Sequence, residues 1–169
     1  MNADDLRALQ APLKDRYRSD AEAARITLRA RGALDDAHIA CKVETGRALA
    51  IAGLHPATGG SGAELCSGDM LLEALVACAG VTLKAVATAL AIPLRKGLVK
   101  AEGDLDFRGT LGVDKEAPVG FRAIRLTFEV DTDAPQEKID QLLKLTERYC
   151  VVFQTLNHKP DLAVKLSRS

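Results

Sequence analysis

The stretch Ser67-Gly-Asp-Met-Leu-Leu-Glu-Ala-Leu-Val-Ala-Cys-Ala-Gly-Val-Thr-Leu-Lys-Ala-Val-Ala-Thr-Ala-Leu-Ala91 decides the fold. It contains no proline, and its apolar residues (Met70, Leu71, Leu72, Leu75, Val76, Val81, Leu83, Val86 and Leu90) recur at every angle of a 3.6-residue period. Such a helix is expected to be buried on all sides. Cys66-Ser67-Gly68-Asp69 opens it, with Ser67 or Asp69 placed to accept from unpaired N–H groups and Asp69 at the positive end of the dipole. Pro93 ends it near Ala91. At about 1.5 Å per residue it spans roughly 35 Å. Glu73 and Lys84 confine the uncharged run to the residues between them, too few for a membrane span.

Outward from this rod the pattern changes period. Before it, Ile26, Leu28 and Ala30 alternate with Arg25, Thr27, Arg29 and Arg31 as in a half-buried strand. Segments 37–43 and 47–52 read as further strands of an antiparallel meander. The segment Leu54-His-Pro-Ala-Thr-Gly-Gly-Ser-Gly62 is a loop by its glycine and proline content. Residues 3–18 place Leu6, Leu9 and Leu13 on one helical face, with Pro12 expected to kink that helix or start a new turn.

After the rod, 98–108 and 121–130 alternate as strands around a 109–120 loop. Pro135 introduces a helix through Tyr149 with Ile139, Leu142, Leu143 and Thr146 on one stripe. Val151-Val-Phe153 and Leu162-Ala-Val-Lys-Leu166 carry β-type residues and are expected to close the chain as strands. The order β-β-β-α-β-β-α-β is α+β, one domain over 1–169 with a helical arm at 1–20.

Lysine plus arginine equals aspartate plus glutamate, at 23 each, so no charge excess favours nucleic acid or a membrane surface. Met1-Asn-Ala-Asp-Asp-Leu-Arg7 lacks the basic and apolar regions of an export signal, so a cytoplasmic, reducing location is expected. In that compartment four cysteines are structural thiols, metal ligands or redox groups. Three scattered histidines (His38, His55, His158) form no metal-ligand spacing with them. No resident cofactor or metal is expected.

Cys78 sits beyond the reach of the helix dipole, among Ala and Val, where a cysteine is ordinarily a small hydrophobe. Thr82 shares its face and has a hydroxyl to offer a thiolate. Cys150 ends the second helix, where the dipole raises a thiol pKa, so it suits a resolving role better than a first attack. Cys66, near a helix start, has some local support for thiolate character, and Cys41 reads as core. His55, before a proline in the glycine-rich loop, is a candidate site residue. Whether Cys78 and Cys150, 72 positions apart, meet in space is not decided by spacing.

Four segments together resemble the superfamily of osmotically inducible protein C (OsmC) and organic hydroperoxide resistance proteins. They are Gly59-Gly-Ser-Gly62, Gly68-Asp-Met-Leu-Leu-Glu-Ala-Leu-Val-Ala-Cys78, Glu102-Gly-Asp-Leu-Asp-Phe-Arg-Gly109 and Leu145-Thr-Glu-Arg-Tyr-Cys-Val-Val-Phe-Gln-Thr-Leu156. The resemblance covers about residues 40–166 and implies an intertwined homodimer with antiparallel sheets around long central helices. It implies a peroxidase in stress defence that reduces small organic hydroperoxides. Cys78 is then the peroxidatic thiol, Cys150 the resolving one, and an external dithiol the reductant. The family's Gly-Gly-Arg segment is matched loosely by Thr45-Gly-Arg47. Its glutamate ten residues before the first cysteine falls on Gly68, with Asp69 one residue on. A non-catalytic module that holds a small hydrophobic ligand or senses redox state is the alternative, motivated by that missing glutamate.

Overall fold

The computed structural model describes residues 3–34, 41–43, 52–63 and 65–168. Arg47 and most of the strands expected at 37–43 and 47–52 lie outside the described residues. The arm is helix α1, Ala3–Ser19, which runs through Pro12 rather than restarting there. Strand β1 (Arg25–Leu34) pairs antiparallel with β2 (Cys41–Val43) on one side, Leu34 opposite Cys41. A short parallel pair, β3 (Ala52–Gly53) and β4 (Leu65–Cys66), closes the glycine-rich loop.

Helix α2, Ser67–Ala89, follows directly, with Cys66 as its cap residue. Neither Ser67 nor Asp69 caps it. Cys66 holds the extended backbone that the cap position needs, and its side chain makes no cap bond. Strand β5 (Lys96–Asp106) then pairs with the other edge of β1, Arg25 opposite Asp106. Strand β6 (Ala123–Asp131) pairs with β5, Ala101 opposite Leu126. The sheet order is β2-β1-β5-β6, and all its ladders are antiparallel. A short helix α3, Phe107–Thr110, leads out of β5. Helix α4 (Gln136–Tyr149) starts after Pro135, and α5 (Val151–Asn157) follows a single-residue break.

Alternation along β5 sorts the two faces of the sheet. Val99, Ala101 and Leu105 are buried inward, with Ile124, Leu126 and Phe128 of β6 beside them. The outward residues carry charge: Arg125 pairs with Asp104 at 2.5 Å and Lys100 with Glu129. α2 lies on the apolar face and buries Leu72, Leu75, Val76, Ala79, Gly80, Leu83 and Ala87. Ala79 and Gly80, both small and buried, keep this face of the rod narrow. The far end of α2 packs Leu83 and Ala87 against Ile92 and Leu142.

Three expectations are corrected. α2 is buried along one face only: Leu71 and Val81 remain 37% and 38% exposed, because the described elements packed on it, the main sheet with α4 and α5, leave its other flank uncovered. Val151–Phe153 is the first turn of α5 and not a strand. Val152 and Phe153 reach the core from that turn, and this packing outweighs the β preference of the residue types. Leu162–Leu166 has no regular structure, and Val164 is 99% exposed. A strand needs a ladder partner, and none of the described sheet reaches this segment.

Candidate functional site

Cys78 and Cys150 come together. Cys78 is half-buried in the middle of α2, and Cys150 is 1% exposed at the junction of α4 and α5. The junction is built by one residue. Cys150 leaves the helical region, with φ −73° and ψ 105°, ending α4 and capping α5 at once. Its N–H still donates to the Thr146 carbonyl at 3.0 Å, and its own carbonyl accepts from Gln154 N–H at 2.9 Å. The sulfur is buried on the α2 side, close enough to Cys78 for that thiol to act on it. Both thiols are free.

Burial pushes the Cys150 thiol up to about 11; the N–H groups of Phe153 and Val152 at the start of α5 pull the other way, and the Cys78 thiol raises it further. The α4 dipole acts in the same direction as burial but is the lesser cause. Desolvation dominates, and the same residue also faces the favourable end of a second helix.

Thr82 does not serve the Cys78 sulfur. Its hydroxyl donates to the Cys78 carbonyl at 2.8 Å, the ordinary back-bond of a mid-helix threonine, which uses its one proton. Arg47 lies outside the described residues. His55 and Asp69 meet elsewhere: each acts on the other's charge near the start of α2. Asp69 is nine residues before Cys78, about 13 Å along the axis and half a turn around it. Burial raises the Asp69 carboxyl, opposed by His55; burial and Asp69 together raise Glu73. Cys66 is half-buried beside this second cluster and packs on the common core. Cys41 is on β2. Among the described residues, no three His, Cys, Asp or Glu side chains are grouped to hold a metal ion.

A cavity of about 350 Å³ lies nearby, lined by Leu75, Phe121, Ile124, Leu126, Phe153 and Leu156, with Arg122 and Asn157 among its polar members; neither thiol lines it. Leu75 lies one turn before Cys78 on α2, and Phe153 supplies one of the N–H groups facing Cys150. Phe121 is held over Gly103 of β5: a Cβ at Gly103 would stand 2.4 Å from the ring. None of these lining residues stood out in the sequence. Gly103, an inward position in an otherwise well-patterned strand, was the available signal for a close approach. Chemically, the arrangement offers two neighbouring free thiols and, close by, a cavity of mixed apolar and polar lining.

A family model for OsmC-like protein matches residues 60–165. No curated protein matches the chain by sequence. Among solved structures, the chain is similar to an OsmC-like hydroperoxide resistance protein from Jannaschia sp. CCS1. That likeness has a TM-score of 0.63 at 14% identity, over 86% of this chain and 95% of the other. At that identity the likeness concerns the α+β fold, and the family match carries the assignment. The chain belongs to the OsmC-like protein family.

Proposed function

We propose that this protein is a thiol-dependent peroxidase that reduces organic hydroperoxides through Cys78 and Cys150. The observation that carries this reading is that the two free thiols, distant in sequence, come close enough for Cys78 to act on Cys150, with Cys78 one turn along from Leu75 of a nearby cavity. The family match and a structural neighbour named for hydroperoxide resistance support it.

In the first step the Cys78 thiolate attacks the outer peroxide oxygen. The O–O bond breaks, the alcohol leaves with a proton, and Cys78 becomes a sulfenic acid. Cys150, as thiolate, attacks that sulfur; water leaves and a disulfide forms. An external dithiol then reduces the disulfide, which requires a reducing compartment such as the cytoplasm. Cys150 is the poor initial nucleophile of the two, because burial keeps it protonated. The apolar part of the nearby cavity, with Leu75, Ile124, Leu126 and the rings of Phe121 and Phe153, favours hydroperoxides with apolar substituents over hydrogen peroxide.

The working unit in this reading is a homodimer. Leu71 and Val81 on the free flank of α2, and Leu162, Val164 and Leu166 of the tail, are apolar side chains that a second copy would cover. The decisive experiment titrates an organic hydroperoxide into the reduced protein and maps disulfides by peptide mass. A Cys78–Cys150 link is expected, Cys78→Ser should abolish turnover with a dithiol, and Cys150→Ser should accumulate sulfenic acid. Turnover equal in wild type and the double variant overturns the proposal. The cavity also suits a retained hydrophobic ligand without catalysis. Native mass spectrometry distinguishes that reading, through a bound mass accompanied by no peroxide consumption.

A further inference from the structure

The turn Pro56–Thr58 is organised by His55. The His55 Nδ1 accepts the Ala57 N–H at 3.0 Å, and its carbonyl accepts from the Thr58 N–H at 2.8 Å, the Thr58 hydroxyl at 2.9 Å and the Gly60 N–H at 3.1 Å. The ring stacks on Phe107 with centroids 4.9 Å apart. Two carbonyls of this same turn hold the N-terminal arm. Ala57 accepts the Tyr17 hydroxyl at 2.6 Å, and Thr58 accepts the Gln10 amide at 3.2 Å. Tyr17 is buried there. Both α1 and the turn precede the region that the family model matches, residues 60–165.

We propose that His55 is a pH-sensitive latch for α1: a proton on Nδ1 removes the acceptor that pins the Ala57 N–H, loosening the turn on which Tyr17 and Gln10 hang. A ring nitrogen that accepts a hydrogen bond carries no proton, so the latched ring is neutral with its hydrogen on Nε2. Protonation sets one N–H against another.

The charged groups around the ring fix the direction. From α2, Asp69 faces His55 and favours its cation, with Glu73 one turn beyond Asp69. From α3, Arg108 is engaged by Asp106 at 2.6 Å and Asp114 at 3.2 Å. From α1, the titratable group on the turn is Tyr17, whose phenol burial raises, keeping it neutral. Burial outweighs Asp69 and holds His55 below its ordinary value. The latched state therefore binds fewer protons than the released one. It is fully stable above the ordinary histidine pKa of about 6.5 and weakens as pH falls through and below that value. Asp69 gives the cation a partner to turn to. Release withdraws Tyr17 and Leu13 from the core cluster to which they belong.

The test is hydrogen exchange on the full-length protein between about pH 7.5 and 5.5, corrected for intrinsic exchange, beside an NMR titration of His55. Exchange in peptides covering α1 should rise about fivefold at the lower pH, the factor that one lost capping acceptor is worth. Its midpoint should coincide with that of the His55 ring. His55→Asn, whose side-chain carbonyl accepts but does not titrate, should keep α1 protected throughout. Exchange independent of pH, pH dependence that survives in His55→Asn, or two separate midpoints would each overturn the latch. The two wild-type midpoints decide the matter alone if the variant does not fold. None of these readouts depends on Cys78 or Cys150, so the latch and the peroxidase reading stand or fall separately.

Discussion

The burial of Cys150 makes a quantitative statement about the second half of the proposed cycle. With its thiol pushed up to about 11, only about one Cys150 in ten thousand is a thiolate at neutral pH. Disulfide formation goes through that thiolate, so its rate should climb about tenfold per pH unit from neutrality upward. The climb should end before pH 11. Once Cys78 is a sulfenic acid, the neighbouring thiol no longer raises Cys150, while the Phe153 and Val152 N–H groups still lower it. The measurement is a single turnover: one equivalent of hydroperoxide, then quenching at intervals with a sulfenic-acid trap and a thiol alkylator. The trapped species should persist for a shorter time at each higher pH, and indefinitely in Cys150→Ser. A sulfenic-acid lifetime that is constant from pH 6 to 9, or unchanged in Cys150→Ser, refutes the reasoning, since it removes either the buried thiolate or its role.

Three further predictions concern the scaffold that positions the site. Gly103→Ala forces the Phe121 ring from its seat; thermal unfolding should show a loss of about 1–3 kcal/mol, with unchanged stability counting against the close approach. Asp106 is buried, caps α3 through the Arg108 N–H at 3.2 Å and pairs with the Arg108 guanidinium, which holds its carboxyl below the ordinary value. The stability it contributes is present above the ordinary aspartate pKa of about 3.9 and lost as pH falls below it, so Asp106→Asn should flatten the acid limb of a stability–pH curve. Ala91 follows α2 with φ 51°, a left-handed backbone that strains a Cβ, and Ala91→Gly should gain about 0.5–1 kcal/mol in chemical denaturation.

The second half of the chain shows how far pattern reaches. Helix α4 was legible because Pro135 and an apolar stripe agree on where it starts; of that stripe Leu142 and Thr146 are buried, while Leu143 is exposed. Strand β6 was legible because each alternate residue is apolar over its whole length. Val151-Val-Phe153 misled because β-branched and aromatic residues favour strands on average. Here Cys150 interrupts the helix for one residue, and Val152 and Phe153 then find the core from a helical turn. In the tail, Leu162, Val164 and Leu166 alternate as a strand does, yet alternation only offers a ladder that another strand must accept.

By itself the sequence determined the elements whose hydrophobic period is long and unbroken: the α2 rod, the strands β1, β5 and β6, and the helix after Pro135. These are local properties, since one chain segment shows which of its faces is apolar. It also singled out His55, Asp69, Cys78 and Cys150 one at a time. Only the tertiary structure decided how they group, with Cys78 beside Cys150 and His55 beside Asp69 at the start of the same helix. Proximity between residues tens of positions apart depends on how helices cross a sheet, and no period along the chain encodes that distance. The same holds for Thr82, whose hydroxyl the sequence offered to a sulfur and the helix backbone claimed first.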